Sequence, residues 1–177
     1  MATWSSRGLR GSALEDLINL TNEKYKEKGL ALIQKIPTPI KPIEINEQSR
    51  HITLAYFDKK STVDYIGVVQ GIPVCFDVKE CKCDRFPLSN IHDHQIEFME
   101  DFEKQNGISF IIISYTHLDK NYYLDFKSLK EFYVRSRDGG RKSFTISELQ
   151  NEYFIPVNKE VPLHYLEVLK KDLEGRE

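Results

Sequence analysis

Two aspartates and a lysine, Asp64, Asp77 and Lys79, have types and spacing that could form a catalytic group. Asp77 and Lys79 flank one residue at the end of a predicted strand, so their side chains point to the same face. Asp64 begins the preceding predicted strand, and Gln70-Gly71 predicts a hairpin that brings the two carboxylates together. Carboxylates bind Mg²⁺, which activates water near phosphate, and an ammonium stabilises developing negative charge. The group therefore predicts metal-dependent phosphodiester hydrolysis.

The opposite interpretation is that these charges lie on an exposed hairpin and form surface ion pairs, which contribute little to stability. An Asp followed at some distance by Asp-x-Lys is a common pattern, so by itself it supports only a hypothesis. The sequence around the three side chains has to decide between the two interpretations.

The rest of the chain predicts an α/β domain with a mixed sheet and helices on its faces. Periodicity predicts helices over 12–28, 92–105, 129–135, 147–153 and 161–173, and strands over 30–36, 65–69, 72–76, 108–115 and 122–124. Residues 80–90 are expected to form a loop. We expect residues 1–11 to be a flexible N-terminal arm and residues 12–177 to be a single domain. An insertion over about 37–62 contains two short β-like segments.

The composition is that of an ordinary globular protein, with 25 basic and 27 acidic residues in 177 and a formal net charge of −2. Mild acidity argues weakly against nucleic-acid binding, but the acidic excess falls within residues 143–177, after the last motif. No apolar run reaches the length of a membrane helix, and the N-terminus lacks an apolar signal core. Three cysteines fit free thiols in a reducing compartment. We therefore expect a cytoplasmic protein without membrane contact.

Over nearly its whole length the chain resembles the RecU-type Holliday junction resolvases of the PD-(D/E)xK nuclease superfamily. The matching segments are Ser6-Arg7-Gly8, Leu14-Glu15-Asp16, Pro37-Thr38-Pro39, Ala55-Tyr56-Phe57, Thr62-Val63-Asp64-Tyr65-x-Gly67, Phe76-Asp77-Val78-Lys79-Glu80, Phe86-Pro87-Leu88-x-Asn90-x-His92-Asp93-His94-Gln95-Ile96-Glu97 and Gly140-Arg141-Lys142-Ser143. The resemblance implies a restriction-endonuclease-like α/β fold, with a mixed β-sheet flanked by helices and a projecting β-rich stalk. It also implies a homodimer that cuts four-way DNA junctions symmetrically in recombination and repair, with Mg²⁺ as cofactor and Mn²⁺ as its substitute.

The resemblance also assigns site residues. The catalytic lysine of the family falls on Lys79, and its metal ligands fall on Thr62, Asp64, Asp77 and Gln95. The chain departs from the family pattern at Asp77, where the family usually has Glu, and it largely lacks a basic N-terminal extension. Because Asp is one methylene shorter than Glu, we expect a slightly shifted metal position.

Glu15 has two interpretations that the sequence leaves equal. It completes a capping box with Ser12, and in this class of nucleases a glutamate of the N-terminal helix lies beside the metal, which makes Glu15 a catalytic candidate. Phosphate contacts are expected from basic residues of the arm, the base of the stalk and the last motif, namely Arg7, Arg10, Lys59, Lys60, Arg141 and Lys142. A solvated surface is the alternative explanation of these charges.

Two other functions stay open at this stage: a nuclease for a different branched DNA, and a non-catalytic junction-binding scaffold that modulates recombination partners. Recombinase or branch-migration proteins are further candidate partners, and the origin is bacterial or bacteriophage. Cys81-x-Cys83 and His92-x-His94 contain zinc-ligand types at spacings that differ from those of zinc sites. We therefore expect no zinc.

Overall fold

The computed structural model describes residues 13–57, 62–157 and 160–176, so the expected arm over 1–11 lies outside it. In chain order the elements are α1 (Ala13–Glu27), β1 (Ala31–Lys35), β2 (Ile40–Asn46), β3 (His51–Phe57), β4 (Tyr65–Val69), β5 (Ile72–Cys81), β6 (Arg85–Pro87), α2 (Asp93–Lys104), β7 (Ile108–Tyr115), β8 (Lys120–Asp125), α3 (Phe126–Arg137), β9 (Ser143–Thr145), β10 (Phe154–Ile155) and α4 (Tyr165–Glu174).

The central sheet of the described chain has six strands in the order β1-β4-β5-β7-β8-β10. The strands β5 and β7 pair in parallel, and every other pair in this sheet is antiparallel. β7 therefore lies inside the sheet, which explains why its sequence is apolar almost without interruption. The predicted mixed sheet is confirmed.

Two hydrophobic clusters cover the two faces of this sheet. Because successive side chains of a strand point to opposite faces, Phe76 of β5 packs in one cluster and Cys75 in the other. The Phe76 cluster takes its helical members from α1 and α4, and the Cys75 cluster takes them from α2 and α3. The sheet is thus flanked by helices on both faces, as the sequence predicts.

The insertion contains the antiparallel pair β2–β3, which forms a sheet of its own. Apart from the half-buried Ala55, every residue of the two strands is exposed. The exposed residues include large apolar side chains, Ile40, Ile43, Ile45, Ile52, Leu54, Tyr56 and Phe57. The two predicted β segments are therefore confirmed as one exposed hairpin, which we call the stalk hairpin.

Two elements differ from the sequence prediction. Residues 80–90 are not a loop, because β5 continues to Cys81 and β6 pairs with β9, far along the chain. The predicted helix over 147–153 is instead two separate 3-10 turns, 146–148 and 151–153. The carboxylate of Glu148 closes the first turn by accepting the backbone N–H of Thr145. Among the described helices, none combines the length and apolarity needed to cross a bilayer.

Candidate active site

The pairing of β4 with β5 brings the two predicted aspartates together. Tyr65 pairs with Phe76, so Asp64, directly before β4, lies beside Asp77 of β5. Oδ2 of Asp64 accepts the backbone N–H of Val78 at 3.0 Å. Asp77 has no exposed surface at all. The convergence that the hairpin pattern predicts is therefore present, with Asp77 buried and Asp64 half-buried.

Lys79 follows two residues after Asp77 on the same strand, and the alternation of the strand directs both side chains to the same face. Its Nζ lies 2.5 Å from Oδ2 of Asp77. The Lys79 side chain is 22% exposed, whereas that of Asp77 is completely buried. The ammonium therefore compensates the buried carboxylate and also reaches the surface, where it can meet a substrate.

Gln95, in the first turn of α2, binds the same carboxylate from the neighbouring helix. Its Nε2 donates to Oδ2 of Asp77 at 2.9 Å, and its Oε1 accepts the backbone N–H of His92 at 3.1 Å. Gln95 is almost fully buried. This amide links Asp77 to the N-terminus of α2, so the helix fixes the orientation of the carboxylate.

The electrostatic environment of Asp64 and Asp77 favours the binding of a cation. Burial and the neighbouring Asp77 carboxyl raise the pKa of Asp64 well above its usual range, and the N–H of Val78 and the charge of Lys79 oppose that rise only in part. Oδ1 of Asp77 is buried and has no hydrogen-bond partner among the residues that the structure describes. Two crowded carboxylates, one with an unsatisfied oxygen, are an arrangement that a divalent cation would stabilise.

The donor set points to a hard cation that keeps some of its water. Within the described ranges, no three His, Cys, Asp or Glu side chains form a cluster that could hold a metal. The candidate site has two carboxylates and a neutral amide, and Thr62 lies half-buried two residues before Asp64. Mg²⁺ is commonly held by one or two carboxylates together with waters and substrate oxygens.

Glu15 forms an ion pair with Lys35, a residue that the sequence analysis missed. Its Oε2 lies 2.5 Å from Nζ of Lys35, the last residue of β1. The hydroxyl of Tyr65 lies 3.5 Å from the backbone oxygen of Glu15, which accepts its hydrogen bond. Ser12, the other half of the expected capping box, lies outside the described residues. No sequence pattern singles out Lys35, because a basic residue at the end of a strand is common.

Two of the expected DNA-binding residues, Arg141 and Lys142, lie in the part of the chain that the structure describes. They belong to the segment that connects α3 to β9. Arg141 is largely exposed, with its guanidinium 3.6 Å from the carboxylate of Glu148. The backbone oxygen of Lys142 accepts the N–H of Leu88 at 3.0 Å, which fixes this segment to the turn before α2. The other four, Arg7, Arg10, Lys59 and Lys60, lie outside the described residues.

Comparisons with known proteins assign the family. The family model described as "Recombination protein U" matches residues 9–171. A curated protein of Oceanobacillus iheyensis named Holliday junction resolvase RecU is 41% identical over 160 residues, which cover 88% of this chain and 79% of the relative. Proteins of the same name from Geobacillus sp. and Staphylococcus aureus are 38% and 40% identical over 169 residues, covering 93% of this chain and 84% and 81% of theirs.

Among solved structures, the chain is similar to Hjc of Archaeoglobus fulgidus, described as a Holliday junction resolvase. The likeness is distant, with a TM-score of 0.37 and 9% identity over 63% of this chain and 74% of the other. A TM-score this low does not establish a common fold. The sequence comparisons are decisive by themselves, and on them this chain belongs to the Recombination protein U (RecU) family.

Proposed function

We propose that this protein is a metal-dependent endonuclease that resolves four-way DNA junctions by hydrolysing phosphodiesters in two strands. The observation that carries the proposal is the buried carboxylate of Asp77, which has one unsatisfied oxygen and lies against Asp64 and Lys79. In metal-dependent hydrolysis of a phosphodiester a cation activates the water, and a positioned ammonium can stabilise the developing charge; these residues supply the places for both. The curated relatives carry the name Holliday junction resolvase.

Asp64 and Asp77 would hold the cation, and Thr62 would add an oxygen ligand. Gln95 would join them once its amide turned its oxygen from the N–H of His92 towards Asp77, where its nitrogen now lies. We propose Mg²⁺, with Mn²⁺ as a substitute, because the donors are oxygens. The bound cation would lower the pKa of a water and neutralise charge on the phosphate.

Within that site, Lys79 has a separate task. Its ammonium has three N–H donors, of which Asp77 uses one. The others can bind the attacking water or an oxygen of the scissile phosphate, where negative charge increases during the reaction. Gln95 keeps Asp77 in place through its hydrogen bond to the N-terminus of α2.

Symmetric cutting of a two-fold junction requires two active sites related by two-fold symmetry, so we propose a homodimer. The stalk hairpin supports this proposal. An isolated two-stranded hairpin is at best marginally stable in water, and this one exposes apolar side chains on both strands. A second copy of the chain or the centre of the junction would cover them.

Junction DNA would contact the basic residues named above, Arg7, Arg10, Lys59, Lys60, Arg141 and Lys142, through its phosphates. We place the protein in the cytoplasm of a bacterium, as the product of a bacterial or bacteriophage gene, with recombinase or branch-migration proteins as further partners. The curated sequence relatives compared above are bacterial.

The proposal is tested with purified protein, a synthetic four-way junction and Mg²⁺ or Mn²⁺. We expect cleavage by the native protein and its loss in Asp64→Ala and Asp77→Ala, with Mn²⁺ binding, measured by calorimetry, lost in parallel. Asp101→Ala is the matched control, because Asp101 is exposed and pairs only with Lys104 among the ion pairs described. Native protein that binds the junction and never cuts it would instead be a scaffold. Cleavage of forks or nicked duplexes in preference to junctions would identify another branched substrate.

A further inference from the structure

A groove lies at one end of the helical layer that covers the Asp77 face of the sheet. Its volume is about 610 Å³, and it is bordered by the turn before α2, the first turn of α2, the end of α3 and the segment after α3. Ligand sites in proteins commonly have volumes of this order. The side chains that give the groove its polar character are Ser89, Asp93, Tyr133, Ser136, Arg137 and Lys142. Of the two basic residues among them, Arg137 has no part in the site described above.

The helices α2 and α3 lie side by side and run in opposite directions. Lys130 of α3 forms an ion pair with Glu100 of α2. Seven residues later in α3, Arg137 pairs with Asp93, which lies seven residues earlier in α2. The end of α3 therefore lies beside the start of α2, and the groove is open at this end of the layer.

The groove lies next to the candidate active site and on the same face of the sheet. Asp77 leaves β5 on the face that α2 and α3 cover. Gln95, whose amide binds the Asp77 carboxylate, belongs to the first turn of α2 and follows Asp93 by two residues. Only this turn separates the groove from Asp77, so a DNA strand that continues past the active site on this side enters the groove.

The guanidinium of Arg137 is oriented by its neighbours and keeps donors for a ligand. It lies over the ring of Tyr133, 5.0 Å from the ring centre. Its Nη2 donates to the hydroxyl of Tyr133 at 2.8 Å and lies 2.5 Å from Oδ2 of Asp93. A guanidinium has five N–H donors in one plane, so those of Nε and Nη1 remain for a ligand. Arginine commonly binds phosphate through two such donors at once.

The ion pair of Arg137 with Asp93 does little for stability. The two side chains are 58% and 61% exposed, and pairs this exposed contribute about 0 to 1 kcal/mol. The charged side chains that line the groove are those of Arg137, Lys142 and Asp93, so the groove carries one net positive charge. A positive groove beside the acidic active site attracts the DNA backbone.

Resting on the function proposed above, we infer that Arg137, together with Lys142, binds a backbone phosphate of the strand that the active site cuts, beyond the scissile phosphate. Asp93 and Tyr133 are positioning residues that hold the guanidinium at the groove. Because the contact is made to the backbone, it places the strand at Asp77 without reading the bases.

Junction binding without divalent metal, measured by fluorescence anisotropy over a range of salt concentrations, tests this contact. We expect Arg137→Ala to weaken binding about fivefold and to reduce the slope of log affinity against log salt by about 1. Arg137→Lys should recover part of the affinity, because it restores the charge but not the two-donor contact. Lys104→Ala is the matched control, since Lys104 is an exposed basic residue that pairs with an acidic one at the far end of α2 from Asp93. Equal affinities of Arg137→Ala and Lys104→Ala would overturn the inference.

A second measurement separates a contact with DNA from support of the metal site. We expect Arg137→Ala to bind Mn²⁺ in calorimetry as the native protein does, whereas Asp77→Ala loses Mn²⁺ binding. If Arg137→Ala weakens Mn²⁺ binding as much as Asp77→Ala does, Arg137 acts through the first turn of α2 and the inference is wrong. Thermal unfolding checks that each variant folds. A native protein that neither binds nor cuts junctions would instead remove the proposed function.

Discussion

Asp77 is the residue on which the proposed chemistry depends. Its Oδ2 is shared by Lys79 and Gln95, and its Oδ1 is buried without a partner in the described part of the chain. A buried carboxylate is costly unless it is paired or binds a metal, and here only one of its two oxygens is satisfied. An Asp at a position where the resemblance leads us to expect Glu therefore still offers one free oxygen beside Asp64.

Glu148 is the residue that fixes the segment carrying Arg141 and Lys142. One carboxylate oxygen accepts from Arg135 of α3 at 2.6 Å, and the other accepts the N–H of Thr145 at 2.9 Å. Hydrogen bonds from Arg135 and Thr145 lower the pKa of Glu148 to about 2 from its usual value near 4.5. The charged carboxylate is thus preferred in the folded protein.

We predict that Glu148→Gln destabilises the fold by about 1 to 2 kcal/mol at pH 7, because charge-assisted hydrogen bonds are replaced by neutral ones. A lowered pKa stabilises the fold fully above the unfolded pKa, and this contribution is lost as the pH falls towards 2. Denaturant unfolding at fixed protein concentration from pH 7 to pH 3 measures the difference. A gap between native and variant that stays constant over this range would contradict the assignment.

At the scale of elements, the contact of β1 with β4 depends on a glycine. A Cβ on Gly67 would lie 2.1 Å from the backbone oxygen of Leu32 and 2.7 Å from Cα of Ile33. The two strands therefore approach more closely than any side chain at this position allows. This contact holds Lys35 beside the segment that leads to Asp64.

Gly67→Ala should destabilise the protein by about 2 to 3 kcal/mol, since the two strands must separate to relieve the overlap. Gly175→Ala serves as the control, because a Cβ there meets no atom closer than 3.6 Å. Thermal unfolding of both variants measures the difference. Equal melting temperatures would show that β1 moves without cost.

We predict that removing the stalk hairpin reduces the selectivity for junctions and leaves the rest of the protein folded. None of the residues of β2 and β3 belongs to the two described core clusters. Replacing residues 40–58 by a short Gly/Ser linker should leave cooperative unfolding and reduce the preference for junctions over linear duplex, measured by competition binding. A preference equal to that of the full chain would refute a role of the hairpin in recognition.

The sequence predicts those elements whose signals are local. Gln70-Gly71 at the turn of the β4–β5 hairpin has positive φ at both residues, as the dipeptide indicates, and this turn places Asp64 beside Asp77. The β6–β9 pairing has no such signal, because its strands are short and lie far apart in sequence. The sequence also does not predict the hydrogen bond of Gln95 to Asp77 or the ion pair of Lys35 with Glu15. Both join residues that only the tertiary structure brings together.

At the scale of the whole molecule, helices cover both faces of the central sheet, and the role proposed for the protein is junction binding. The formal net charge of −2 does not oppose this role, because binding depends on the local surface and not on the total charge. Because the slope of log affinity against log salt grows with the number of phosphates that basic residues neutralise, we expect a small number of basic contacts to give low junction affinity with a shallow salt dependence. One chain has a mass of 20.7 kDa. The proposed homodimer therefore predicts that light scattering will measure a particle of twice that mass in solution.

The most direct test of the central claim is to map the cuts in a four-way junction labelled in turn on each of its four strands, with Mg²⁺ present. We predict paired nicks at equivalent positions in two opposing strands, giving two nicked duplexes, and no nicks with Asp77→Ala although it still binds the junction. Binding by the native protein without any nick, or nicks in Asp77→Ala at the native rate, would contradict the assignment of Asp64, Asp77 and Lys79 as the active site.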